Sequence, residues 1–160
     1  MKKKAGIWAA CITGCVIICF YLTSCGTLGR IGYVTYFPLP KEKVQKTFDS
    51  LFSTHPEYKV PANWKVYDNW SERGFGFLES RIVYFNERPR EMYYITFIDD
   101  GLYASKNKTG IGIRAVCIGD PRWLLEKDLD KRENERVEKR FEEEIVSKLE
   151  KYGKCKTWRQ

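Results

Sequence analysis

The sequence predicts an α+β domain, a single antiparallel sheet of about five strands with two amphipathic helices on one face. Three observations carry that prediction. Short runs rich in aromatic and β-branched residues follow one another between Gly, Pro, Asn and Asp clusters, the mark of strands joined by tight turns. Two longer segments instead show apolar residues at helical spacing. These helical segments stand near the beginning and end of the strand series, so both can cover the same face of a meander.

The elements follow in order. Tyr33 to Phe37 is aromatic and β-branched and reads as the first strand, stopped by Pro38-Leu39-Pro40. Pro40 suits the first turn of a helix. Over Lys41 to Phe52, Val44, Phe48 and Leu51 fall on one helical face, and His55-Pro56 and Pro61 end the element. Trp64 to Trp70 alternates, with Trp64, Val66 and Trp70 on one side, and reads as a strand. Ser71 to Gly74 is turn-like. Phe75 to Phe85 is expected to be a long strand with Leu78, Ile82 and Tyr84 together. Asn86 to Arg90 reads as a hairpin loop and Met92 to Ile98 as the next strand. Turns follow at Asp99-Asp100-Gly101 and Lys106 to Gly110, with a possible short strand at Leu102 to Ala104 between them. Ile111 to Ile118 is the last strand, placing Ile111, Ile113, Ala115 and Cys117 on one face.

Asp120-Pro121 has the form of a helix start, a capping carboxylate followed by proline. The helix is expected to reach Tyr152, with Gly153 as its stop. Its stripe is Val137, Phe141, Ile145 and Leu149, supported by the i, i+4 pairs Glu135–Lys139 and Glu144–Lys148. Residues 126–136 hold one apolar residue, Leu129, so that half projects into water or forms a separate short helix. The order is β–α–β–β–β–β–α.

The first residues follow a different logic. Met1-Lys2-Lys3-Lys4 precedes an uncharged apolar run from Ala5 to Leu22. A basic start followed by an apolar stretch is the architecture of a secretory signal. Cys11, Cys15 and Cys19, spaced like a motif, are small apolar members of that run. The run ends in Leu22-Thr23-Ser24-Cys25. An aliphatic residue, two small residues and a cysteine at that place resemble the lipobox of bacterial lipoproteins. The resemblance covers residues 1–25 only.

It implies that Cys25 receives a diacylglycerol on its sulfur and that cleavage falls between Ser24 and Cys25. The implied divisions are a signal peptide at 1–24, a short linker at 25–32 and one domain at 33–160. The residue after the cysteine is Gly26, which favours the outer over the inner membrane. An uncleaved membrane anchor is the alternative, since eighteen apolar residues just span a bilayer. Either way residues 26–160 lie on the non-cytoplasmic side. The linker reaches about 25 Å when extended, so the domain stays near the bilayer.

Removing Lys2, Lys3 and Lys4 from 28 basic residues leaves 25 against 21 acidic ones, a net of +4. Nucleic acid is not an expected partner for a protein placed there. A mild positive charge suits an anionic membrane surface. The basic tail Lys154 to Arg159, with Trp158, has the composition that sits well among lipid headgroups. With Cys25 lipidated, Cys117 and Cys155 remain in an oxidising compartment and are expected to pair. Closing that loop of 38 residues would add about 4 kcal/mol in the chain-entropy picture.

Chemistry-bearing constellations are sparse. The single histidine, His55, stands beside Pro56 with no nucleophile motif. Clustered zinc ligands are lacking. Asp99-Asp100-Gly101 reads as a turn, not a calcium loop. Gly74-Phe75-Gly76 and Gly110-Ile111-Gly112 open strands, not helices, and are not phosphate loops. Glu79 is placed to pair with Arg81 or with an acid across the sheet, and nothing in the spacing singles it out. No cofactor or metal is expected.

Aromatics supply 21 of the 136 residues from Cys25 onward and fall on both strand faces. The face away from the helices therefore either presents them to a partner or carries a second apolar layer. The sequence favours a non-enzymatic, membrane-anchored binding, assembly or adaptor module with a protein partner in the envelope. An immunity- or inhibitor-type lipoprotein is the alternative, and a hydrolase the least favoured.

Overall fold

A computed structural model describes residues 29–98, 107–119 and 122–160. Six strands form one antiparallel sheet. They are β1 (Ile31–Phe37), β2 (Ser80–Phe85), β3 (Glu91–Ile98), β4 (Thr109–Ile118), β5 (Trp123–Leu124) and β6 (Trp158–Arg159). The order across the sheet is β2-β3-β4-β1-β6, with β5 also paired to β4. Among the described residues three α-helices accompany it: α1 (Lys41–Thr54), α2 (Lys131–Phe141) and α3 (Ser147–Gly153), the last two joined by a π turn at Glu142–Val146.

The expected α+β architecture is the one found. Val44, Phe48 and Leu51 of α1 and Val137, Phe141, Ile145 and Leu149 of the C-terminal helices are all buried in one cluster with Phe37, Val83, Tyr93 and Val116. Both helical stripes thus cover one face of the sheet. The π turn serves the second stripe. Four-residue spacing drifts around a 3.6-residue helix, and a wider turn between Phe141 and Leu149 corrects that drift.

The opposite face is closed rather than open. Trp70, Tyr84, Met92, Tyr94, Ala115, Cys117 and Trp123 form a second buried cluster. Segment 60–78 lies over it, built of a 3-10 stretch (Ala62–Tyr67) and a π turn (Ser71–Phe75) broken at Gly74, φ 88°. The expected strand at Trp64 to Trp70 is absent. Pro61 opens the 3-10 turn, accepting from the Trp64 amide at 2.9 Å. The effective period there is three. Trp64, Tyr67 and Trp70 meet the sheet, while Val66 is 70% exposed. The strand expected from Phe75 begins only at Ser80, because turn structure continues past Gly74, the Leu78 amide donating to the Phe75 carbonyl at 3.0 Å. Leu78, Ile82 and Tyr84 do share a face, as read.

A bulge at Arg114 corrects the reading of β4. Tyr94 pairs with Ala115 but Ile95 pairs with Ile113. The extra residue flips the alternation, so Ile111 and Ile113 join the helix-side cluster and Ala115 and Cys117 the other. The Arg114 guanidinium donates to Thr96 Oγ1 at 2.8 Å.

The long helix expected from Asp120 starts at Lys131 instead. Asp130 caps it, its Oδ1 accepting from the Glu133 amide at 2.8 Å. Trp123–Leu124 is a strand because Trp123 belongs to the second cluster and pairs with Cys117. Asp120-Pro121, Asp99-Asp100-Gly101 and the possible strand at 102–104 lie outside the described residues, as do residues 1–28. At the C-terminal end, α3 stops at Gly153 as read, yet the left-handed residue is Lys154 (φ 49°). Gly153 itself is needed for space, with Leu39 Cδ1 3.0 Å from where a Cβ would stand. The expected linker shortens, since β1 begins at Ile31 and Gly32 lies within it.

The structure does not bring Cys117 and Cys155 together, as the expected pairing requires. Cys117 is buried in the second cluster, while Cys155 packs against the first. The sheet lies between them.

Candidate functional site

Two polar constellations stand out, and they differ in kind. The first is buried. Glu91 opens β3 with no exposure at all. One carboxylate oxygen accepts from Arg136, and the other accepts from Arg140 at 3.0 Å and from the Tyr93 hydroxyl at 2.9 Å. Arg136 also meets Glu133, and Arg140 meets Glu144 and the Pro89 carbonyl. The Arg140 guanidinium lies 4.4 Å from the Phe85 ring centroid. Burial, with the neighbouring carboxylate, pushes the Tyr93 phenol well above its usual range. Burial works against the charge on Arg136, but its bonds to Glu91 and Glu133 outweigh that and hold it more firmly protonated. The oxygens of Glu91 are occupied by these partners. The cluster fastens α2 to the β2–β3 hairpin.

The second constellation is open. A groove of 560 Å³ runs between residues 56–64 and the hairpin, lined among others by Lys59, Asn63, Trp64, Tyr84, Asn86 and Arg90. Trp64 and Tyr84 meet at 5.3 Å between centroids, tilted by 59°. The Tyr84 hydroxyl donates to Asn86 Oδ1 at 3.3 Å. The side chains of Lys59, Asn63 and Arg90 make no hydrogen bond or ion pair with other described residues. A groove of this size with two rings and a few polar groups is what ligand sites are commonly built from.

A second groove, of 680 Å³, includes Phe52, Lys59, Val60, Lys65, Arg81 and Ile82 among its walls. Lys59 and Val60 line both. Tyr58 belongs to the helix-side cluster and Val60 packs on the other one. The chain therefore crosses the free edge of β2 between them. The Phe97 amide donates to the Glu79 carbonyl, so the alternate residues Ser80, Ile82 and Tyr84 turn their backbone toward that edge. The crossing at 59–61 covers it, which blunts strand-to-strand association.

Other residues singled out by sequence fall as follows. His55 ends α1, its Nδ1 2.9 Å from Glu57 Oε1. Glu79 is bonded to Lys41 at 3.2 Å and Gln45 at 3.1 Å on the surface, not to a second carboxylate. Gly110 and Gly112 lie inside β4. A Cβ at Gly110 would stand 2.8 Å from Val34 Cγ1, so close packing explains it. The expected i, i+4 partners are exchanged, with Glu144 taking Arg140 and Lys139 facing Glu143. Burial first, then the Glu150 carboxylate, pushes the Cys155 thiol up. No group of metal-ligating side chains is present among the described residues. No helix among them is long and apolar enough to cross a membrane. Cys25 lies outside the described residues.

The groove residues were not singled out by sequence reasoning. Their one signal is the three-residue spacing of Trp64, Tyr67 and Trp70, which aims the first ring at Tyr84. Compared with known proteins, the chain matches no family model, no curated protein and no solved structure.

Proposed function

We propose that this chain is an envelope lipoprotein, anchored through Cys25, whose folded part is a non-enzymatic binding or adaptor module engaging a protein partner at the Trp64–Tyr84 groove. The supporting observation is the contrast between the two constellations. The charges around Glu91 are satisfied internally, whereas Lys59, Asn63 and Arg90 surround two aromatic rings and have no partner side chain among the described residues. Aromatic and arginine side chains dominate the binding energy of protein interfaces. The short tether fits this reading. Residues 26–30 span at most about 18 Å, which keeps the groove close to the bilayer and to other envelope proteins.

A photocrosslinking residue placed at Asn63 in intact cells tests the groove. Specific crosslinks are expected, and Arg90→Glu should abolish them while a change on the helix face, Glu135→Lys, leaves them intact. Equal crosslinking in all three overturns the groove. Palmitate labelling tests the anchor: label on the native chain and none on Cys25→Ala is expected. An unlabelled native chain with residues 1–24 still attached refutes it.

A further inference from the structure

We infer that the end of the molecule where the C-terminal tail closes the sheet is a docking surface for an anionic lipid bilayer. Leu39 is the hub of that end. Its carbonyl accepts from Thr109 Oγ1 at 2.7 Å, and its side chain packs against Gly153. This joins the start of α1, the start of β4 and the end of α3 at one place. The residues next to the hub are basic. Lys43 and Lys46 line a shallow cleft of 220 Å³ with Tyr152, Lys154 follows Gly153, and Lys108 precedes Thr109.

An aromatic pair stands beside these lysines. Trp158 of β6 stacks on Tyr36 of β1 at 5.7 Å and 19° and is 39% exposed. The Lys108 ammonium sits 3.8 Å from the Tyr36 ring centroid. Pairing of β6 with β1 and the bond of Gln160 to Val34 fix the tail in place. The ammonium groups of Lys43, Lys46 and Lys154 have no carboxylate partner among the described residues. Glu150, a half-buried acid nearby, is spent on Thr157 and Lys156, and Glu42 in the first turn of α1 is exposed.

Tryptophan and tyrosine settle at the headgroup level of a bilayer, and each nearby lysine strengthens attraction to anionic lipid about fivefold. The lysines spread over three segments around an exposed ring at a strand edge. That suits a broad, diffuse negative surface better than a single acidic side chain. This contact adds to the proposed tether and does not depend on it. One acyl chain holds a protein to a membrane only marginally, and a basic patch supplies a second signal.

Residues 26–160 contain both core clusters entire and can be examined without the apolar run or Cys25. Sedimentation with vesicles of phosphatidylcholine, with and without phosphatidylglycerol, measures the partitioning. Binding is expected only with phosphatidylglycerol and should fall away in high salt. The triple change Lys43→Gln, Lys46→Gln and Lys154→Gln should weaken it about a hundredfold, and Trp158→Ala should weaken it further. A matched triple change around the start of α2, Lys127→Gln, Lys131→Gln and Arg132→Gln, all exposed, should have a much smaller effect. Equal loss in both triples, equal binding to neutral vesicles, or no binding overturns the proposal. So does retention on polyglutamate beads with the same lysine dependence when vesicles do not bind. Near-ultraviolet circular dichroism of each variant separates lost folding from lost binding.

Discussion

Glu91 shows what a single residue decides here. A carboxylate with no solvent access is tolerated only because Arg136, Arg140 and Tyr93 all donate to it. Two consequences follow from the physics of buried charge. Removing the carboxylate leaves two guanidinium groups facing each other across a buried gap, so Glu91→Ala should cost about 3–5 kcal/mol in urea unfolding. Exchanging a whole buried ionic set for apolar side chains is often neutral or stabilising. Glu91→Leu with Arg136→Met and Arg140→Met should therefore recover most of that loss. If the single change is silent, the cluster does not fasten α2 to the hairpin. None of this was legible in the sequence. Glu91 stands at the edge of a hairpin loop, where a solvated acid is the ordinary expectation, and its partners lie 45 and 49 positions away.

At the scale of elements, the sequence was most readable where one period runs unbroken. The α1 stripe and the Ile82–Tyr84 pair within β2 were recovered because nothing interrupts their spacing. Each misreading marks a change of period: three instead of two over 64–70, and one added residue at Arg114. Asp120-Pro121 misled for a related reason. It is a good capping signal, but the apolar stripe that a helix needs begins only at Val137, and Trp123 is drawn into the sheet instead. The two-residue strand β6 carried no periodic signal at all. It is held by Glu150, whose carboxylate accepts from the Thr157 amide at 2.7 Å, the Thr157 hydroxyl at 2.8 Å and Lys156 at 2.9 Å. Burial opposes the charge on Glu150, but these bonds outweigh it and set its pKa below the ordinary 4.5. The bonds thus contribute fully above pH 4.5 and are lost as pH falls through the lower folded-state value. Acrylamide quenching of Trp158 should rise on acidification below that point. In Glu150→Gln the tail should be looser at neutral pH and insensitive to acid.

At the scale of the whole molecule, the described residues form one sheet with two unlike covers. The helical cover is continuous and periodic. The other is an irregular segment, 60–78, that reaches its face by crossing the edge of β2. Cys117 and Cys155 lie on opposite sides of that sheet, so no cystine between these two staples the covers together. Dithiothreitol should leave the Tm of residues 26–160 unchanged. A drop on reduction would show that Cys117 and Cys155 are joined. The irregular cover depends on one ring above all. Trp70 stacks on Tyr94 at 4.2 Å and 13°, meets Trp123 at 5.2 Å and Phe75 at 5.6 Å, and carries the Arg73 guanidinium on its face. Segment 60–78 has no strand pairing of its own, so its attachment comes chiefly from such side-chain contacts. Trp70→Ala should cost about 3–5 kcal/mol. It should also raise hydrogen exchange across 60–78 while the amides of α1 and α2 stay protected, because the helix-side cluster contains no residue of that segment. The Trp64 wall of the groove would loosen with it, and groove crosslinking should fall even in cells where the protein remains folded. Uniform deprotection of both covers would instead mean that the two layers unfold as one cooperative unit, with the groove no softer than the core beneath it.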